Sequence, residues 1–287
     1  MKVLITGAGG QLGHDLIRVL SGSHQLFAHT RTDLNIADEQ AVYAAIRKAQ
    51  PDIIINAAAH TNVDLAEQQA NEAYLINSIG TNHVARAAAE AGAKLVHIST
   101  DYVFDGSKRT PYTESDRPNP INIYGNSKLH AEKFVELACE RYFILRTSWL
   151  YGRTGSNFVT KVASLARQKE EISVVDDQFG SPTYTLDLAR FIEQLMQTDH
   201  YGLYHASNRG YCSRFEFAQE ILRTLQLEHV RLVPVSSDAF VTPAERPAYS
   251  VFDDEAIRRN RLPRLRPWKE ALVDFLLNDY NKEESKS

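Results

Sequence analysis

Cysteine is scarce: two residues in 287. Cys139 and Cys212 lie far apart and match neither a disulfide framework nor a metal-ligand spacing, so both read as reduced thiols in the fold. Long apolar runs are missing as well. Nothing approaches the roughly 20 residues that span a bilayer, and no membrane partner is expected. Nor is there an excess of positive charge. Against 32 Lys+Arg stand 36 Asp+Glu, a net charge of −4, so no basic field invites nucleic acid. No secretory leader is visible, because Met1 to Ile5 runs straight into a strand pattern. The expectation is a cytoplasmic protein. No repeats occur, and no His/Cys/Asp/Glu spacing suggests a catalytic zinc. The polar residues 281–287 are expected to fray.

Apolar residues are plentiful. At 43% of the chain they suffice for a large core, arranged as one big domain or two interleaved ones. The chain opens on Lys2-Val3-Leu4-Ile5-Thr6-Gly7-Ala8-Gly9-Gly10-Gln11-Leu12-Gly13: a β-type run, a glycine-rich turn and the start of a helical pattern. That order makes a dinucleotide phosphate site. Gly7 permits the tight turn, Gly10 lets the backbone approach a pyrophosphate, and Gly13 lets the helix pack on the strand. Gln11 and Leu12 open the helix and join the cofactor set. Strands and helices then alternate, which predicts an α/β fold: a Rossmann-type parallel sheet with helices on both faces.

The second strand, Gln25 to His29, leads into Thr30-Arg31-Thr32-Asp33-Leu34. Sheets of this type meet the adenosine ribose there. An acidic residue would select NAD, whereas an arginine accommodates the 2′-phosphate of NADP. Arg31, with Asp33 and Leu34 beside it, therefore predicts NADPH; the bland alternative is a surface arginine. Asp38 is a candidate N-cap for a helix to Ala49. The third strand, Asp52 to Asn56, ends in Ala57-Ala58-Ala59-His60, a row of small residues that leaves room for a flat ligand. A helix is expected from Glu67 to Gly92. On it Asn77 either points at the site or satisfies buried backbone groups.

The next strand, Lys94 to Asp101, delivers Thr100 and Asp101 at its carboxyl end. A helix then carries Tyr124 and Lys128, four apart and so on one face. A lysine beside a tyrosine favours the phenolate and is expected to draw the phenol from its reference near ~10 toward neutrality. Such a tyrosine can protonate a carbonyl oxygen as hydride arrives at carbon. Thr100 would hydrogen-bond the same oxygen.

At these residues the chain resembles a known family. The glycine turn plus Tyr124-x-x-x-Lys128 looks like the extended short-chain dehydrogenase/reductases. Within them, Ser99-Thr100-Asp101-Tyr102-Val103-Phe104-Asp105-Gly106 is similar to the signature of the dTDP-4-dehydrorhamnose reductases. Asn56 to Asp64, Arg146 to Gly152 and Asp177 to Thr183 match as well, and the resemblance runs over nearly the whole chain. It implies that NADPH, with NADH as a second candidate, delivers hydride to C4 of dTDP-6-deoxy-L-lyxo-4-hexulose, giving dTDP-L-rhamnose for cell-surface polysaccharide. Tyr124 would be the general acid, Lys128 its tuner and cofactor clamp, and Thr100 the carbonyl partner. Asp101 and Tyr102 would place the sugar, and Trp149 would wall its site. Some members carry acidic residues and Mg²⁺ at a dimer interface. Asp15 matches one of these loosely, which leaves a metal ion and a homodimer open. Two other readings stand beside this one: a reductase or epimerase of another nucleotide-linked 4-keto sugar, and a non-catalytic NADP-binding regulatory subunit.

Residues 1–148 are expected to form the NADP-binding domain, rejoined by a segment near 185–229. Residues 149–184 and 230–287 would bind the dTDP-linked sugar. There Arg246 sits on a loop stiffened by Pro243 and Pro247, where a guanidinium could clamp the diphosphate. The basic run from Arg258 to Lys269 reads as solvated surface.

Overall fold

The computed structural model describes residues 1–280, so the end expected to fray lies outside the described residues. Six strands form the central sheet. Successive side chains of a strand point to opposite faces, and the apolar residues divide accordingly. Val3 and Ile5 face one helical layer and Leu4 the other; Ile53 and Ile55 against Ile54, and Phe143 and Leu145 against Ile144, repeat the split. Helices Gln11–Leu20 and Thr185–Leu195 supply the first layer. Glu39–Ala49, Thr81–Glu90 and Ile123–Ala138 supply the second.

All neighbours in this sheet are parallel. Their order is Gly202–His205, Tyr142–Thr147, Lys94–Thr100, Ile53–Asn56, Lys2–Thr6, Gln25–His29. This is the Rossmann-type α/β arrangement that the alternation predicts. The chain changes direction of travel across the sheet between its first and third strands. Parallel sheets hold their ligands in the crevice at the carboxyl ends beside such a switch. The glycine turn and the alanine row both start there.

Capping residues fix where helices begin. The Asp38 carboxylate accepts from the Ala41 N–H, and Asn122 accepts from Gly125 N–H at the start of Ile123–Ala138. Ser213 and Glu216 cap Arg214–Thr224 reciprocally, a pairing that satisfies two orphan donors. The helix expected from Glu67 to Gly92 is instead broken into Val63–Gln68, Ala70–Tyr74, a π-helical Leu75–Gly80 and Thr81–Glu90. Gln69 leaves helical geometry at φ −125°, ψ 51°. Gly80 packs so closely that a Cβ there would lie 2.8 Å from the Ile36 side chain.

A second apolar cluster, including Tyr151, Val159, Ile172, Tyr184, Phe217, Trp268 and Phe275, lies outside the sheet layers. Helix Arg214–Thr224 belongs to it through Phe217, Ala218 and Ile221. Helix Thr185–Leu195 and strand Gly202–His205, both within the expected 185–229, pack on and pair with the sheet. The basic run is not simply solvated. Arg258 and Arg264 pair with Asp254, and Arg266 pairs with Asp187 and Asp274 at 2.7 and 2.6 Å. Among the described residues no helix is long and apolar enough to cross a membrane.

Candidate active site

A cavity of about 670 Å³ occupies the crevice. Gly7, Gly10, Gln11 and Leu12 line one end, with Arg31, Leu34 and the alanine row Ala57, Ala58 and Ala59 beside them. Thr100, Asp101, Tyr102, Tyr124, Lys128 and Trp149 line the rest. Residues from six separate stretches of the sequence thus meet at one hollow.

The glycines are dictated by local crowding. Gly7 adopts φ +69°, and a Cβ there would sit 2.6 Å from Ala58 N and 2.7 Å from Ala57 O. At Gly13 it would sit 2.4 Å from the Gly7 carbonyl. The turn is consequently pressed against the alanine row with nothing between. Helix Gln11–Leu20 has no side-chain cap and no acidic residue in its first turn, so its backbone N–H groups are left to an anion. The buried Thr147 Oγ1, on the cavity wall, has no hydrogen-bond partner among the described residues. These features fit a dinucleotide.

At the other end, the fourth strand runs out at Thr100. Its hydroxyl donates to Asp101 Oδ1 at 3.1 Å, accepts from the Tyr102 N–H at 3.2 Å and contacts the Tyr124 phenol. Ser250 Oγ donates to Asp101 Oδ2 at 2.6 Å, while burial pushes the Asp101 carboxyl up to about 6. Tyr102 meets Tyr124 edge-on, with ring centroids 5.7 Å apart. Lys128, one turn along from Tyr124, is buried; its Nζ donates to the Ile98 carbonyl at 2.6 Å and touches His97 Nε2 at 3.2 Å. Burial pushes Lys128 down to about 7.

The expected tuning of Tyr124 by Lys128 is not what the structure shows. Burial raises the Tyr124 phenol above the ordinary tyrosine value; the Thr100 contact opposes this, and Asp101 and Tyr102 reinforce it. The Lys128 amine is engaged by Ile98 and His97 instead. A phenol held in its neutral form is a proton donor across the neutral pH range.

Three of the expected site residues do not line the cavity. Asp33 turns its carboxylate back to the Thr30 N–H and hydroxyl at 2.9 and 2.6 Å. Asn77 is buried and clamps His60, accepting from its N–H at 2.7 Å and donating to its carbonyl at 3.1 Å, and also donates to Ser127. Of the two roles open to Asn77, the structure shows the second: it braces the loop after the alanine row. Arg246 makes a two-pronged pair with Asp64 at 2.8 and 2.7 Å and hydrogen-bonds the Tyr102 phenol. Arg31 does reach the cavity; it pairs with Glu72 at 3.2 Å, both side chains are exposed, and exposed pairs of this kind are worth ~0–1 kcal/mol.

Trp149 lies at the cavity with an unusual backbone, φ +46°. Non-glycine residues rarely adopt that region. Opposite it, a Cβ on Gly180 would fall 2.4 Å from the indole, so that position needs glycine. Arg214 stacks 3.5 Å above the Trp149 ring and also lines the cavity. No motif points to Arg214, because the first turn of a helix far along the chain, Arg214–Thr224, delivers it. His97 was equally silent as a site residue, although a histidine inside the apolar run Leu95 to Ile98 is the kind of signal that could have drawn attention. Asp15, the loose match to a metal position, is buried; its carboxylate accepts from the Thr185 hydroxyl at 2.5 Å. Among the described residues no three His, Cys, Asp or Glu side chains gather as a metal-holding group.

The family described as RmlD substrate binding domain matches residues 1–281. The chain belongs to this family. It is 45% identical to the spore coat polysaccharide biosynthesis protein SpsK of Bacillus subtilis, over 96% of each chain. A second relative, from Streptomyces niveus, is named dTDP-4-keto-6-deoxy-D-glucose reductase and is 40% identical over 94% of each chain. The crystal structure of dTDP-4-dehydrorhamnose reductase from Bacillus anthracis, in complex with NADP, is 45% identical and superposes with a TM-score of 0.94, covering 96% of this chain and 98% of that one. RmlD-family membership and the crevice geometry agree on a dinucleotide-dependent reductase fold.

Proposed function

We propose that this chain reduces the C4 carbonyl of dTDP-6-deoxy-L-lyxo-4-hexulose with NADPH, forming dTDP-L-rhamnose. It is an oxidoreductase, and one observation carries the reading. Thr100, Tyr124 and Lys128 share a wall of the cavity that begins at the glycine turn and an open helix N-terminus.

NADPH, when bound, supplies the hydride. Thr100 Oγ1 and the Tyr124 phenol meet the carbonyl oxygen, and Tyr124 releases its proton to that oxygen as negative charge develops there. Lys128 holds ribose hydroxyls and, when charged, stabilises the phenolate left behind. Trp149 and Tyr102 offer flat faces to the deoxyhexose, with Asp101 hydrogen-bonding its hydroxyls. Arg214, held over Trp149, and Arg246, beside Tyr102, bring positive charge toward the diphosphate. Gly7, Gly10, Gln11 and Leu12 serve the pyrophosphate of the cofactor and Arg31 its 2′-phosphate. We assign residues 1–148 and 185–206 to the cofactor half, and 149–184 with 207–280 to the substrate half.

The test is NADPH oxidation with the dTDP-4-keto sugar generated in situ, run beside GDP- and UDP-linked 4-keto sugars. Turnover is expected with the dTDP sugar; a preference for GDP or UDP would sink the substrate. A second reading rests on the Streptomyces niveus relative, whose name points to a different 4-keto sugar. Offering dTDP-4-keto-6-deoxy-D-glucose before and after its epimerisation at C3 and C5 separates the two, and NMR of the product reads the configuration at those carbons. Cofactor choice has its own test. Arg31→Ala is expected to raise the KM for NADPH about tenfold, the loss of one charge-assisted contact, and to leave the KM for NADH unchanged. Equal effects on both cofactors would take Arg31 out of the 2′-phosphate site.

A further inference from the structure

His97 is buried in the middle of the fourth strand, behind the reacting groups. Its two ring nitrogens face opposite ways along a line of polar atoms. Nε2 touches Lys128 Nζ at 3.2 Å, and Nδ1 touches Asn56 Nδ2 at 3.3 Å. Asn56 in turn accepts from the Thr6 hydroxyl at 2.7 Å and donates to Thr81 Oγ1 at 3.2 Å. Every member is fully or almost fully buried. A neutral imidazole carries one N–H and one acceptor nitrogen, so the polarity of the line is set by its ends.

We propose that His97, backed by Asn56 and Thr6, is a positioning residue for the reduction, holding the Lys128 amine in either charge state by exchanging its ring tautomer. With Lys128 as the neutral amine, Asn56 Nδ2 donates to Nδ1 and the Nε2–H donates to Nζ. That is the polarity in which Asn56 stands here. With Lys128 as ammonium, Nζ donates to Nε2, the proton sits on Nδ1, and the Asn56 amide turns so that its oxygen receives it. Thr6, whose hydroxyl both donates and accepts, accommodates either orientation. In both states Nζ keeps its bond to the Ile98 carbonyl. The buried amine therefore never loses a partner, a loss that is costly inside a protein.

The electrostatics agree. Burial first, and then the Lys128 charge, hold His97 well below the ordinary histidine value, so the ring stays neutral and only its tautomer changes. Burial brings Lys128 to about 7, the range in which both of its charge states occur, and the Glu132 carboxylate one turn along opposes that fall. Glu132 is paired with Arg146 of the fifth strand. Tyr124 lies one turn back, with Asp101 acting on its phenol. From the third strand and helix Thr81–Glu90 the contacts are Asn56 and Thr81, neither of which titrates.

The inference rests on Lys128 belonging to the reducing site, and its test has an arm that needs no sugar. Nitrogen-15 NMR of the imidazole rings, recorded on the whole chain, would follow His97, identified by the signal lost in His97→Gln. From about two pH units below to about two above the Lys128 midpoint, the ring is expected to pass from the Nδ1–H to the Nε2–H tautomer without becoming imidazolium. In Lys128→Met the ring should keep one tautomer throughout. A single tautomer in the unaltered chain, or titration of His97 to imidazolium, overturns the proposal whatever the substrate proves to be. In the kinetic arm, His97→Leu should lower kcat about tenfold or more, as for a hydrogen bond to a charged group, with little change in the sugar KM and a displaced pH limb. His97→Gln, which can present a donor or an acceptor, should recover most of kcat. Wild-type kcat and pH limb in a folded His97→Leu would also overturn it.

Discussion

Replacing Tyr124 by phenylalanine should cut reductive turnover by about two to four orders of magnitude, the range typical of a positioned proton donor. The change deletes one oxygen. The ring that meets Tyr102 edge-on remains, so the melting temperature should move little and cofactor binding should persist. Single-turnover oxidation of NADPH on the dTDP-4-keto sugar isolates the chemical step. Full activity there would remove Tyr124 from the mechanism, and the proton would have to come from elsewhere. The same variant addresses the alternative of a non-catalytic regulatory subunit. A pure binder gains nothing from a buried phenol whose proton is held on by its surroundings, and its partner binding would be indifferent to the loss.

The largest expected effect on stability lies just behind that site. Arg146 of the fifth strand places two nitrogens on Glu132 at 2.9 and 2.7 Å, and Ser99 donates to the same carboxylate at 2.5 Å. Both side chains of the pair are almost completely buried. Glu132→Leu leaves a guanidinium with no anion in a dry interior, a change that costs about 3–5 kcal/mol. Urea unfolding should show it as a lower midpoint with an unchanged slope. Adding Arg146→Met to Glu132→Leu should restore most of the loss, since a well-packed apolar pair often substitutes for a buried ionic one. If the double variant is no more stable than the single, the damage lies in packing and not in the uncompensated charge.

How much of this was legible follows from which interactions are local. The glycine turn, the alternation of strands and helices and the i, i+4 pairing of Tyr124 with Lys128 are short-range patterns, and all three appear where the sequence puts them. Caps at Asp38 and Ser213 are equally local. What stayed hidden depends on residues that fold brings together from afar. Arg214 reaches the cavity from the start of helix Arg214–Thr224. Arg246 is met by Asp64, 182 positions away. Asn77 hydrogen-bonds His60 from a π-helical stretch, which no periodicity signals. The one chemical expectation that changed, the pKa of Tyr124, changed for a related reason: spacing along a helix says that two groups share a face, whereas burial decides what their charges cost.

The pairing of Gly202–His205 with Tyr142–Thr147 also bears on how the molecule can be taken apart. A fragment ending near residue 148 would contain every expected catalytic group, yet its fifth strand would be an open edge. Unpaired N–H and C=O groups along apolar Phe143, Ile144 and Leu145 form a template for self-association. During synthesis that edge stays uncovered until Gly202–His205 has itself emerged from the ribosome. A fragment with the glycine turn and the expected catalytic groups alone is therefore not a portable module. Grafting a foreign substrate half onto it would have to carry the sixth strand along, and fragments cut at the apparent boundary should precipitate and not simply lose activity.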